Sequence, residues 1–121
     1  MGIDFSNNTP IYLQISELLK IKIISGKYMP GERLPSVRDL SLSLKANPNT
    51  VQRALAELES DGLIFTERTN GKFVTDDKST ILSCKSEYAS NLTLNYIRNI
   101  ENIGLSKSDA VNLIKSIKEA E

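Results

Sequence analysis

The chain has 121 residues, a size that fits one domain or a small domain with an appendage and leaves little room for a large catalytic cleft. Fifteen Lys and Arg balance fifteen Asp and Glu, so bulk charge names no partner and any charge-driven binding must come from local arrangement. There is no histidine, which excludes histidine triads, bases and metal ligands, and the single cysteine, Cys84, can make neither an intrachain disulfide nor a multi-thiolate zinc site.

That cysteine usage suits a reducing cytoplasm, and no run approaches the roughly eighteen apolar residues of a membrane span. The expectation is a soluble cytoplasmic protein without membrane contact. Met1-Gly2-Ile3-Asp4-Phe5-Ser6 lacks the order of a secretion signal, and its fit to the short myristoylation pattern reads as a chance match.

Thr9-Pro10 opens the first predicted helix, with threonine as cap and proline at the first helical position. Tyr12, Ile15, Leu19 and Ile23 recur at helical spacing until Gly26 stops it. Pro30-Gly31, between Met29 and Glu32, occupies the central positions of a type II turn. Ser36 then caps a second helix, three residues ahead of Asp39, with Val37, Leu40 and Leu44 facing inward. Asn47-Pro48 reads again as cap and first-position proline, so only a tight turn separates the second helix from a third.

The third helix places Val51, Ala54, Leu55 and Leu58 on one stripe and ends at Asp61-Gly62 with Leu63 making the apolar contact of a Schellman stop. Asn49, Thr50, Gln52 and Arg53 lie off that stripe, and all four can hydrogen-bond base edges or phosphates. Ile64-Phe65-Thr66 and Lys72-Phe73-Val74 are β-prone, and Asn70-Gly71 between them predicts a two-residue type I′ hairpin turn. Beyond Asp76-Asp77-Lys78, the likeliest boundary, apolar residues at Leu82, Ala89, Leu92, Tyr96, Ile100 and Ile103 predict one long helix. Gly104-Leu105-Ser106 stops it, and Ser106 with Asp109 caps a last helix carrying Ala110, Val111, Leu113, Ile114 and Ile117.

Helix, helix, turn, helix and hairpin is the order of a winged helix-turn-helix, here followed by a C-terminal helical hairpin: a mainly α fold with one small β-hairpin. The expected division is residues 1–77 for the winged module and 78–121 for the tail, an αα-hairpin too small to bury both its apolar sides alone. In such a module the start of the third helix enters a major groove about 12 Å wide while the hairpin touches neighbouring backbone. Gly71 would let the wing approach the duplex closely, with Arg68 and Lys72 supplying charge.

The run Pro10-Ile11-Tyr12 with Gln14-Ile15, then Pro30-Gly31-Glu32-Arg33-Leu34-Pro35-Ser36-Val37-Arg38-Asp39-Leu40, then Asn47-Pro48-Asn49-Thr50-Val51-Gln52-Arg53-Ala54-Leu55 with Gly62-Leu63-Ile64, closely resembles the DNA-binding domain of the bacterial GntR family of transcription regulators. The resemblance spans residues 9 to 75, and the short tail is similar to that of the YtrA-like subfamily, which implies a dimerisation element rather than a metabolite-binding domain. It implies DNA contact through Ser36, Arg38, Asn49, Thr50, Gln52, Arg53, Gly71 and Lys72. The wing departs from the family pattern, since Glu67 is acidic and the usual second glycine is either replaced by Lys72 or shifted.

The implied function is a sequence-specific, dimeric regulator of transcription, a repressor that binds double-stranded DNA at an inverted repeat. No cofactor is expected, and the trigger is left open among a small-molecule effector, a partner protein and control by protein level. The rival is a winged-helix adaptor that binds protein and no DNA. Its support is charge: residues 1–77 hold nine Lys plus Arg against ten Asp plus Glu, a balance of minus one where a DNA-binding domain should be basic. Glu57, Glu59 and Asp61 lie late in the third helix and read as a solvated face, while Arg33 is divided between phosphate contact and solvent. An enzyme would need a nucleophile-base pair, a phosphate loop or a metal set, and the sequence offers none. Tyr12, Tyr88 and Tyr96 read as packing or interface residues, and Cys84 as a buried or idle thiol.

Overall fold

The structure, a computed structural model, describes residues 9–119, so the opening Met1–Ser6 pattern lies outside the described residues. Five helices and one hairpin follow in the order α1 Ile11–Ile24, α2 Val37–Leu44, α3 Pro48–Ser60, β1 Ile64–Glu67, β2 Gly71–Val74, α4 Lys78–Asn102 and α5 Lys107–Ser116. The chain divides into two units, one running through Lys85 and the other beginning at Ser86, inside α4. Ile81 and Cys84 on the first turns of α4 pack against the core of the first unit, which carries that unit past the Asp76–Lys78 segment.

The core of the first unit is the predicted set: Ile15, Leu19 and Ile23 of α1, Leu40 of α2, and Val51, Ala54, Leu55 and Leu58 of α3 are all buried. Val37, Leu44 and Tyr12 are half-buried against them. At about 100° per residue, the four buried residues of α3 occupy one side of the helix. Asn49, Gln52 and Arg53 consequently project from the other.

Helix α1 starts differently from expectation. Pro10 is the residue before the helix, extended at φ −54° and ψ 144°, and no side chain caps it. Gln14 instead turns back and donates from Nε2 to the Thr9 carbonyl at 2.8 Å, tying down the entering chain in place of a threonine cap. Ser36 and Asn47 do cap as read, accepting from the backbone amides of Asp39 at 3.0 Å and Asn49 at 2.7 Å. Lys45, at φ 55°, makes the reversal between α2 and α3, the one non-glycine residue of positive φ among those described. The end of α3 is the anticipated Schellman pair, Leu63 N–H to Leu58 and Gly62 N–H to Glu59, at 3.1 and 3.0 Å. Removing a cap oxygen costs about 1 kcal/mol, so Ser36→Ala should lower the denaturant midpoint of the first unit with an unchanged m-value.

The hairpin register corrects the predicted turn. An Asn70-Gly71 two-residue turn would pair Thr69 with Lys72 and set Val74 opposite Glu67. The observed partners are Ile64–Val74, Phe65–Phe73, Thr66–Lys72 and Glu67–Gly71, which leaves Arg68, Thr69 and Asn70 as a three-residue loop. Core burial decides between them: the observed register places buried Ile64 beside buried Val74, and a slip by an odd number of residues would turn one strand's apolar set outward. Phe65 and Phe73 stack on the opposite face, ring centroids 5.8 Å apart. The hairpin gains a third edge that the sequence did not announce. Leu34 N–H donates to Lys72 O at 2.8 Å, Gly31 N–H to Val74 O at 3.0 Å, and Val74 N–H to Glu32 O at 2.9 Å. The turn that aims this segment has the expected type II form, with Glu32 N–H on Met29 O at 3.0 Å and Gly31 at φ 80°.

In the second unit, α5 opens on a complete capping box: Ser106 Oγ accepts from Asp109 N–H at 3.1 Å and Asp109 Oδ2 accepts from Ser106 N–H at 2.8 Å. Ile117 lies just past the end of α5, one residue outside the helix expected to carry it. The hydrogen bonds from the Ser106 backbone and side chain hold the Asp109 carboxyl below its ordinary value. A lowered pKa in the fold means support that is present above the ordinary carboxylate value and is lost as pH falls through the lowered one. Helicity of α5 should therefore decline on acidification, and Asp109→Asn should remove that step from an amide-resolved titration.

Candidate nucleic-acid interface

Caps, reversal and buried stripe together aim the first turns of α3 outward. Asn47 spends its side-chain oxygen on the Asn49 amide, Pro48 fills the first helical position, and Val51 anchors the turn in the core. Asn49, Gln52 and Arg53 are exposed and Thr50 is half-buried. These amide, hydroxyl and guanidinium groups are the donors and acceptors that base edges and phosphates take. The structure brings Asn49, Thr50 and Arg53 together with Ile11 and Tyr12 around one shallow hollow.

Arg53 is more than a solvated charge. Its guanidinium carbon stands 4.0 Å from the centre of the Tyr12 ring, a cation–π contact between α3 and α1. Sequence reasoning gave Tyr12 a packing role and missed this contact. The signal was weak but present: the helix spacing that turns Ile15 and Leu19 inward leaves Tyr12 at the edge of the same face, next to the helix that bears Arg53.

Ser36 and Arg38 sit together at the start of α2. Ser36 accepts with its oxygen as the cap and keeps its hydroxyl hydrogen to donate. Arg38 is exposed and makes no hydrogen bond or ion pair with any described residue. It is thus an uncommitted positive charge on the helix that precedes α3.

The wing residues are placed differently from the reading of Gly71 and Lys72 as open contacts. Gly71, at φ 102°, belongs to β2 opposite Glu67, and the loop tip is formed by Arg68, Thr69 and Asn70. A Cβ on Gly71 would lie 3.3 Å from Arg33 Nε and 3.4 Å from its Nη2, so the room glycine leaves is taken by the Arg33 guanidinium. Lys72 is engaged: its Nζ donates to Thr66 Oγ1 at 2.7 Å and pairs with Glu59 Oε1 at 3.3 Å, while Thr66 donates to the same Glu59 oxygen at 3.0 Å. Alternation along the strands explains it, since Thr66 and Lys72 share the face of Ile64 and Val74 that lies over α3.

These pairs also answer the charge balance. Glu59 is met by Lys72 and Asp61 by Lys20 at 3.8 Å, so two of the three acids late in α3 are matched by lysines. They are surface ion-pair partners as well as a solvated face. Arg33, Arg38, Arg53 and Arg68 have no carboxylate partner among the described residues, and neither have Lys22, Lys27 and Lys45; of these unmatched cations, Arg38 and Arg53 lie on α2 and α3 and Arg68 at the wing. Local arrangement supplies what net charge does not.

No group of three or more Cys, Asp and Glu among the described residues could hold a metal ion, and none of the described helices is long and apolar enough to cross a membrane. Cys84 is half-buried and forms no disulfide.

Residues 11–74 match the model for bacterial regulatory proteins of the gntR family. Over 119 residues, covering 98% of each chain, the sequence is 30% identical to YhcF of Bacillus subtilis, an uncharacterized HTH-type transcriptional regulator. It is 44% identical over 80 residues to the HTH-type transcriptional repressor YtrA of the same organism, spanning 66% of this chain and 62% of that one. A GntR family transcriptional regulator from Listeria monocytogenes superposes with a TM-score of 0.86 at 38% identity, over 96% of this chain and all 100% of that one. The AraR DNA-binding domain, solved in complex with operator ORE1, matches 55% of this chain and 80% of its own at a TM-score of 0.53 and 29% identity.

Proposed function

The chain belongs to the gntR family of bacterial regulatory proteins and is a DNA-binding transcriptional regulator, and we propose that it works in the cytoplasm as a dimeric repressor of an inverted-repeat operator. The observation that carries this reading is the outward face of α3: Asn49, Gln52 and Arg53 are exposed and lie outside the arc of the buried Val51, Ala54, Leu55 and Leu58. Each protomer would lay that face in one major groove, with half-sites about 34 Å apart, one helical turn. Arg53 is assigned to a base, Asn49, Thr50 and Gln52 to bases or neighbouring phosphates, and Ser36 and Arg38 to the backbone. Gly71 serves the wing by admitting Arg33, and Lys72 by bracing it through Glu59.

Dimerisation is assigned to residues 78–121. On the stretch of α4 beyond Lys85, Leu92 and Leu94 are exposed, and Ile103, Val111, Leu113, Ile114 and Ile117 add further apolar surface, with Ile103 at 71% and Ile117 at 69% exposure. So much apolar surface on so short a tail is what a self-complementary interface would cover. The role is binding, without catalysis. The relatives named as regulators and repressors favour it over a protein-only adaptor.

Selection from a random duplex library should recover an inverted repeat, and the complex should weaken steeply as salt rises. Arg38→Ala should reduce the slope of log affinity against log salt by about one while leaving the ranking of sequences intact. An affinity insensitive to salt, or a library that returns no common sequence, would refute the reading.

A further inference from the structure

We propose that Tyr12 is a positioning residue for DNA reading: its ring holds the Arg53 guanidinium ready to address a guanine. The proposal rests on the reading of the α3 face as the surface that meets bases. Two arginines, Arg38 and Arg53, are exposed at the starts of successive helices, and only Arg53 has an aromatic platform. The 4.0 Å separation between guanidinium carbon and ring centre places the Tyr12 ring against Arg53. A cation–π contact is made with the π face of a ring rather than with a hydrogen-bond acceptor atom, so it does not take the place of the guanidinium's hydrogen bonds. Arg53 donates to no other described residue, and the edge that matches guanine O6 and N7 is unspent.

The platform is itself held. Tyr12 is half-buried against the core of the first unit, and its helix is anchored one and two turns on by buried Ile15 and Leu19. Tyr12 and Arg53 line a shallow hollow together with Ile11, Asn49 and Thr50. A long side chain ordered before contact loses less freedom on binding than one ordered by it. The gain is confined to the position that Arg53 reads, which separates this role from general packing. Arg38, with no such platform, keeps the freedom that suits a phosphate contact of loose geometry.

The test uses the full chain and the duplex recovered by selection, with every position of one half-site varied in turn. Tyr12→Phe keeps the ring and should keep the base profile. Tyr12→Leu keeps apolar bulk without a π face, and should lose about three- to tenfold of the discrimination for guanine at one position while preserving the ratios at all others. On an Arg53→Ala background, Tyr12→Leu should change that position no further. An unchanged profile in Tyr12→Leu overturns the proposal, as does a uniform loss at every position in step with a lowered melting temperature. Equal losses in Tyr12→Phe and Tyr12→Leu would assign the effect to the hydroxyl and overturn it too. Failure of the underlying reading looks different: either the unaltered protein selects no sequence, or Arg53→Ala leaves every base preference as it was.

Discussion

Leu55→Ala should destabilise the first unit by about 2 to 5 kcal/mol, the range for deleting a wholly buried leucine side chain when the surroundings relax only in part. Leu55 has no exposed surface and lies in the stripe that α3 turns toward α1 and the hairpin, flanked by Ala54 and Leu58, which are equally buried. Domains of this size are stable by roughly 5 to 15 kcal/mol, so the substitution removes a large share of the total. Its effect on DNA binding should follow from unfolding alone: affinity should fall for every duplex in proportion to the unfolded fraction and recover on cooling or with a stabilising osmolyte. Chemical denaturation followed by tryptophan-free probes, such as far-ultraviolet dichroism, measures the first part, since the chain contains no tryptophan. Gln52→Ala, on the exposed face of the same helix, is the control. It should leave the unfolding free energy within a few tenths of a kcal/mol of the unaltered protein and change binding instead.

The same contrast explains what could be read from the sequence. Where one local rule decided the outcome, reading succeeded: Ser36, Asn47 and Ser106 cap because their oxygens reach an amide two or three residues on, and the α3 stripe is buried because apolar residues recur at helical period. Reading failed where a local preference met a tertiary demand. Asn70-Gly71 is a strong turn signal, but the pairing of Ile64 with Val74 in the core outweighed it and moved the loop to Arg68–Asn70. Thr9-Pro10 looked like a cap, yet Gln14 supplied the bond that mattered. The candidate site divided along the same line. The outward placement of Asn49, Gln52 and Arg53 follows from periodicity, whereas the contact of Arg53 with Tyr12, the seat of Arg33 against Gly71 and the Lys72–Glu59 pair join residues far apart in the chain. No spacing rule reaches them.

Arg53→Ala is expected to cost about 1 to 3 kcal/mol of specific binding and to flatten the preference at a single base position. That cost corresponds to roughly a 5- to 150-fold loss of affinity for the selected duplex. The geometry distinguishes it from Arg38→Ala in two ways. Arg53 lies on the exposed face of α3, the face assigned to the groove, so its loss should appear in the base profile, with the other positions keeping their order. Arg38 precedes that helix and has no hydrogen-bond or ion-pair partner among the described residues, so its loss should appear in the salt slope and hardly in the profile. Stability supplies the third measurement. An exposed cation–π contact contributes about 0.5 to 1 kcal/mol, so the denaturation midpoint of Arg53→Ala should shift only slightly. A large drop in stability with an intact base profile would make Arg53 a structural side chain, and the face of α3 would then read bases through Asn49 and Gln52 without it.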